Sequence, residues 1–214
     1  MIRKLLSYTP LLALLAPYSA IAADNCGPEP IDVAVVIYAP GERLDRSLSS
    51  DQLGSMQTAS MLRGGITQGI TAVSYNTSYT TDFVSSQLND GKWCSRAAKV
   101  TVNFGFTEPP VIYLARGLEQ GSCLYNEVLG HEYQHLAIAR ETLAAGQRWL
   151  GKGVRDALTG RGAVAPTPDA ANSVLDKVIL DTVNKITSGL YAAAKMKNLS
   201  LDTPANYAKL GKRC

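Results

Sequence analysis

Histidine is the scarcest reactive residue in this chain, with two among 214 residues. Basic clusters are missing too. The 21 Lys and Arg against 18 Asp and Glu are dispersed, for a formal charge of +3, which excludes the clustered footprint of a nucleic-acid-binding face. Beyond the first 22 residues no apolar run approaches the roughly 20 residues a membrane-crossing helix needs, so no stable membrane insertion is expected. The four cysteines contain no C-x-x-C pair, the spacing that structural zinc clusters usually show. Internal repeats and low-complexity tracts are absent as well.

What remains is an ordinary globular composition, 46% apolar and 18% charged, of a length that fits one domain. Residues 1–22 carry Arg3 and Lys4, a Leu/Ala-rich stretch broken by Pro10 and Pro17, and the small-residue ending Ala20-Ile21-Ala22. That is the pattern of a cleaved secretory signal, leaving residues 23–214 as one mature domain, secreted or periplasmic. Cys26, Cys94, Cys123 and Cys214 all lie in the exported part, and an even number of cysteines in an oxidising compartment points to two disulfides. Three pairings are open. A cysteine nucleophile would need an imidazole to activate it, and both histidines are committed elsewhere.

The β-branched run Ile31 to Tyr38 reads as a strand. Residues 51–63 give a short helix, and residues 66–84 are rich in Thr, Val and Tyr. Trp93 to Phe106 and Val111 to Ala115 supply two more strands around a Pro-Pro turn. After Cys123 the apolar spacing turns helical, predicting helices over 123–145 and Gln147 to Leu158, a loop over 159–168 and a long helix from Ala170 to Lys197. The last residues form a turn and a little more helix. Strands followed by helices predict an α+β class with a small twisted sheet in the N-terminal half and a helical C-terminal half.

Both histidines fall in His131-Glu132-Tyr133-Gln134-His135, an H-E-x-x-H pattern. Chance would place two histidines this way on the order of once in a thousand trials. On a helix, residues four apart project from one face, so His131 and His135 can direct ring nitrogens at one metal ion, expected to be Zn2+. Glu132, about 100° further round the helix, is then placed to act as general base toward water.

The segment from Gly121 to Glu141 resembles the active-site helix of the zincin metallopeptidases. It is most similar to a bacterial group of predicted secreted zinc-dependent proteases. The resemblance spans roughly residues 93–145 and is firm over five of them. It implies a zincin-like fold with an edge strand above the active-site helix, a role that Val111 to Ala115 would fill. An extended peptide could then pair along that edge by β-addition.

The third metal ligand is not written in the motif. Metzincins put a histidine after a helix-breaking glycine, but Ile138 stands at the glycine position and no third histidine exists. Glu141 has the right offset, yet in a continuous helix it points away from the pair. Among the acids Asp156, Asp169, Asp176 and Asp181, Asp176 is the first choice because it borders the apolar face of the long helix. Glu127 is placed to orient His131, and Tyr191 and Tyr207 are conceivable oxyanion donors. The sequons at Asn76 and Asn198 are too short a pattern to carry weight. The expected function is a secreted zinc metallopeptidase acting on a peptide or protein substrate. The alternatives are a non-catalytic secreted metal-binding module and a disulfide-stabilised interaction module.

Overall fold

The computed structural model describes Cys26, residues 30–56 and residues 66–214, excepting the side chains of 210–213. The expected signal at residues 1–22 and the later part of the helix expected over 51–63 lie outside the described residues. The first sheet contains β1 (Asp32–Tyr38), β4 (Tyr75–Gln87) and β5 (Trp93–Phe106) in the order β1-β5-β4, with β7 (Ala163–Ala165) also paired to β5. β1 runs parallel to β5, while β4 and β7 are antiparallel to it. The second sheet is β2 (Arg43–Asp45), β6 (Val111–Leu114) and β3 (Gly69–Ala72), in the order β2-β6-β3.

The helices are α1 (Ser50–Met56), α2 (Cys123–Leu158), α3 (Pro168–Leu201) and α4 (Pro204–Arg213). Strands dominate the first half and helices the second, so the α+β class is borne out. Among the described residues no helix is long and apolar enough to cross a membrane.

Three sequence-level expectations differ from the structure. The helices expected over 123–145 and 147–158 are one helix of 36 residues. A glycine inside a helix costs only about 1 kcal/mol relative to alanine, and at Gly146 the missing side chain lets α2 lie directly against the Phe104 ring. The loop expected over 159–168 contains β7, which pairs with the first residues of β5. The strand Val111–Leu114 is not an edge strand: β6 is the central strand, flanked by β2 and β3. Three of its four side chains are buried, as a central strand covered by helices requires.

Two hydrophobic cores result. In the larger one Val100, Val102, Phe104 and Phe106 of β5 pack on Leu143, Leu150 and Val154 of α2 and on Leu175, Ile179 and Val183 of α3. The smaller joins Leu53 of α1, Ile112 and Leu114 of β6, and Tyr125, Val128 and Leu136 of α2. α2 therefore serves both, with its N-terminal half under the second sheet and its C-terminal half under the first. α2 and α3, joined through β7, pack along each other. Ser122 caps α2, its hydroxyl accepting from the Tyr125 amide, and Thr167 caps α3 in the same way before Pro168, the arrangement favoured at helix starts.

The disulfides join Cys26 to Cys94 and Cys123 to Cys214. Both fit an oxidising compartment. The first secures the chain ahead of β1 to the start of β5, and the second secures α4 to the start of α2.

The close approach at Gly146 gives a prediction with an inverted sign. Gly to Ala inside a helix ordinarily stabilises, but Gly146→Ala would drive a methyl into the Phe104 ring and cost about 1–3 kcal/mol. Urea unfolding should show a lower midpoint at unchanged m-value; an unchanged or higher midpoint would refute the packing described for this crossing.

Candidate metal centre

The site lies where α2 passes between its two cores. His131 is buried on α2 with Glu132 beside it, and His135 is one turn further on. The antiparallel α2/α3 hairpin is closed at residues 158–168, so the first half of α2 lies opposite the last turns of α3. That geometry sets Asn198 and Asp202 against the two histidines from more than 60 residues away.

Asp202 stands at a corner the sequence enforces. Thr203 precedes Pro204, and the residue before a proline is disfavoured in helical conformation. α3 therefore ends at Leu201 with the Asp202 amide donating to the Asn198 carbonyl. Thr203 then caps α4, with Pro204 in its first turn. The short connection fixes the Asp202 carboxylate against the histidines.

Three ligating atoms form a nearly equilateral triangle. His131 Nε2 lies 3.1 Å from His135 Nε2 and 3.1 Å from Asp202 Oδ1, and His135 Nε2 lies 3.0 Å from the same oxygen. Four tetrahedral ligands held about 2.05 Å from a zinc-sized ion would be about 3.3 Å apart, so these atoms fit one ion with adjustments of a few tenths of an ångström. His135 Nδ1 is 2.9 Å from Asn198 Oδ1. Donation to that oxygen leaves the Nε2 lone pair facing the triangle, the tautomer a metal needs. A single proton on His131 Nε2 can serve only one neighbour at a time, whereas a cation would satisfy all three donors. His131, His135 and Asp202 can therefore hold a metal ion.

Further contacts order the group. Thr71 Oγ1 on β3 is 2.8 Å from Glu132 Oε2 and 2.9 Å from the Glu132 carbonyl oxygen. β3 comes this close because residue 69 is glycine: a Cβ there would sit 2.7 Å from Glu132 Oε1 and 2.8 Å from Val128 Cγ1. The Tyr207 hydroxyl donates to Asp202 Oδ1 at 2.7 Å, and its ring centroid is 5.2 Å from that of His131. The triad is nearly closed, with side-chain exposures of 4% for His131, 14% for His135 and 8% for Asp202.

The two buried carboxyls are driven in opposite directions. Burial pushes the Glu132 carboxyl above its ordinary range, only partly opposed by charge on His135 and by the Thr71 hydroxyl. Burial would also raise Asp202, but hydrogen bonds from His131, His135 and Tyr207 hold it well below the usual carboxylate range. Burial first, then Asp202, raises the Tyr207 hydroxyl. His135 is raised because its bonds to Asp202 and Asn198 outweigh burial, which acts in the other direction.

No family model, curated protein or solved structure matches this chain. The donor geometry alone therefore speaks for the site.

The carboxylate that meets the histidines is none of those expected. Asp176 receives a hydrogen bond of 3.0 Å from the Tyr79 hydroxyl, roughly 25 residues before Asp202 and about 40 Å along the helix axis. Asp156 and Asp181 pair with Lys152 and Lys177 one turn away on exposed faces, and Glu141 pairs with Lys197 at 2.7 Å. Asp169 lies in the first turn of α3, at the far end of the hairpin. Tyr191 packs against the larger core, its ring tilted on Tyr75 with centroids 5.1 Å apart and its hydroxyl at Thr77. Tyr207 does reach the site. Glu127 sits half-buried on α2, one turn before His131. Asn198, read only as a sequon, has its side-chain oxygen engaged by His135.

A helix ending at Lys197, as the sequence pattern predicts, leaves Asp202 beyond it, whereas α3 continues to Leu201 with Asp202 as its C-cap. The legible signal was Asp-Thr-Pro, a helix end followed at once by a capped helix start. Asn198 and Thr71 carried no comparable signal.

This geometry ranks the acids. Asp202→Ala should weaken divalent transition-metal affinity more than Asn198→Ala, which should cost about 10–100-fold, while Asp176→Ala should leave it unchanged. Chelator-competition titration decides the order; equal effects at Asp176 and Asp202 would refute the assignment.

Proposed function

We propose that the protein is a secreted zinc-dependent hydrolase of the zincin type that cleaves peptide bonds in a peptide or protein substrate. The observation that carries this reading is a buried carboxyl, Glu132, directly beside a two-histidine, one-carboxylate donor triangle. Imidazole nitrogen and carboxylate oxygen are donors zinc accepts, and three protein ligands are the usual number at a catalytic zinc. Bound zinc supplies Lewis acidity, lowering the pKa of a water nucleophile and polarising the carbonyl it attacks.

The chain's own residues divide the remaining work. Asp202 stays anionic and, with the two imidazoles, defines the metal position. Asn198 fixes the tautomer and plane of His135. Glu132 takes a proton from water as the water attacks the peptide carbonyl, then passes it to the departing amine as the C–N bond breaks. Its raised affinity for a proton suits that shuttle at neutral pH, and Thr71 holds the carboxyl in place. β3 is an edge strand of its sheet and touches Glu132 through Thr71. An extended peptide added to that edge would bring its carbonyl over α2.

A non-catalytic metal site is the second reading, favoured by the near-closure of the triad and by the Tyr207 hydroxyl beside it. One substitution separates the two. Glu132→Gln should retain close to one zinc per chain and lose about 100- to 10,000-fold in peptide hydrolysis. Equal hydrolysis by variant and wild type, or no metal after native purification, would overturn the proposal.

A further inference from the structure

α4 is attached to the fold in an unusual way. None of its described side chains is fully buried, and among them none sits in either hydrophobic core. The Asn206 bonds to Thr203, Ser200 and Leu201 are all local. Two attachments reach across the site instead. Tyr207 bonds Asp202 and packs on the His131 ring, and Cys214, directly after the helix, is bonded to Cys123 at the first residue of α2. α4 therefore runs back along α2 from His131 towards Cys123 and covers a triad that is almost closed to solvent.

The two disulfides differ in access. Cys26 and Cys94 are both buried, whereas Cys123 and Cys214 are both exposed. Thiol–disulfide exchange requires a thiolate to reach a sulfur, so the exposed bond is the one a reductant meets first.

We infer that α4 is a redox-latched strap over the metal centre, held shut by Cys123–Cys214 and released when a dithiol reduces that bond. In the reaction one thiolate of the dithiol attacks a sulfur of the bond and forms a mixed disulfide. The second thiolate displaces it, leaving Cys123 and Cys214 as thiols and the reductant as its own disulfide. Two electrons and two protons pass to the protein. Among the described side chains of α4, Tyr207 makes the ring contact with α2, at His131; without the cross-link the helix lifts and carries Tyr207 away from Asp202. This adds regulation to the zinc-hydrolase reading and rests on it only for the consequence at the metal.

The test uses the full mature chain loaded with zinc in three forms: oxidised, treated with a mild dithiol under mass mapping that confirms Cys26–Cys94 intact, and the double variant Cys123→Ser/Cys214→Ser. Hydrogen exchange should quicken by about 10-fold or more over residues 203–213 in the last two forms. Exchange over residues 143–158 should stay as in the oxidised protein. Zinc extraction by a chelator should quicken in parallel. Unchanged protection over 203–213, or loss of protection throughout the chain in both reduced and variant forms, overturns the latch. Faster exchange with unchanged zinc extraction overturns its control of the site. A protein that takes up no zinc in any form sinks the hydrolase reading, while the exchange data still decide whether the strap exists.

Discussion

The pairing of α2 with α3 is the interaction on which the site depends. α2 is long enough to serve two cores, and it keeps that length through Gly146 because the glycine lets it approach Phe104. α3 packs antiparallel on it, so whatever lies early on α2 meets whatever lies late on α3. His131 and His135 thereby face Asn198 and Asp202, each pair one helical turn apart. A shift of one turn, about 5.4 Å, would separate the three ligating atoms, and the ladder of Leu, Val and Ile between the helices and β5 is what prevents it.

Burying this many ionisable groups would cost several kcal/mol for each one left unpaired. The cluster avoids that by mutual satisfaction: Asp202 receives Tyr207 and the imidazoles, His135 has Asn198, and Glu132 has Thr71. The same arrangement separates the two carboxyls chemically. Asp202 is surrounded by donors and remains an anion, whereas Glu132 is mainly desolvated and binds a proton more readily. One fold position thus supplies a ligand and the other a proton acceptor, from two side chains with nearly the same intrinsic acidity.

Much was legible in the sequence where local rules act alone. The strands β1, β5 and β6 follow from β-branched runs between turn residues, and the pairing of His131 with His135 follows from helical periodicity. Where neighbours decide, it was not legible. The break expected near Gly146 vanished because a core ring sits against it. β6 became central because β2 and β3 found its two edges, and short strands announce no partner. Asp176 bordered the apolar face of α3, but its neighbour there is Tyr79 on β4.

The sequence by itself determined that two imidazoles share one helix face with a glutamate between them, since i and i+4 spacing follows from helix geometry alone. It also determined the corner at Asp202, through the proline that ends one helix and starts another. Only the tertiary structure decided that this corner meets those histidines, that Cys123 joins Cys214, and that Tyr207 closes the group. Those outcomes depend on contacts more than 60 residues apart, set by how α2 and α3 share a core rather than by any local preference of the chain.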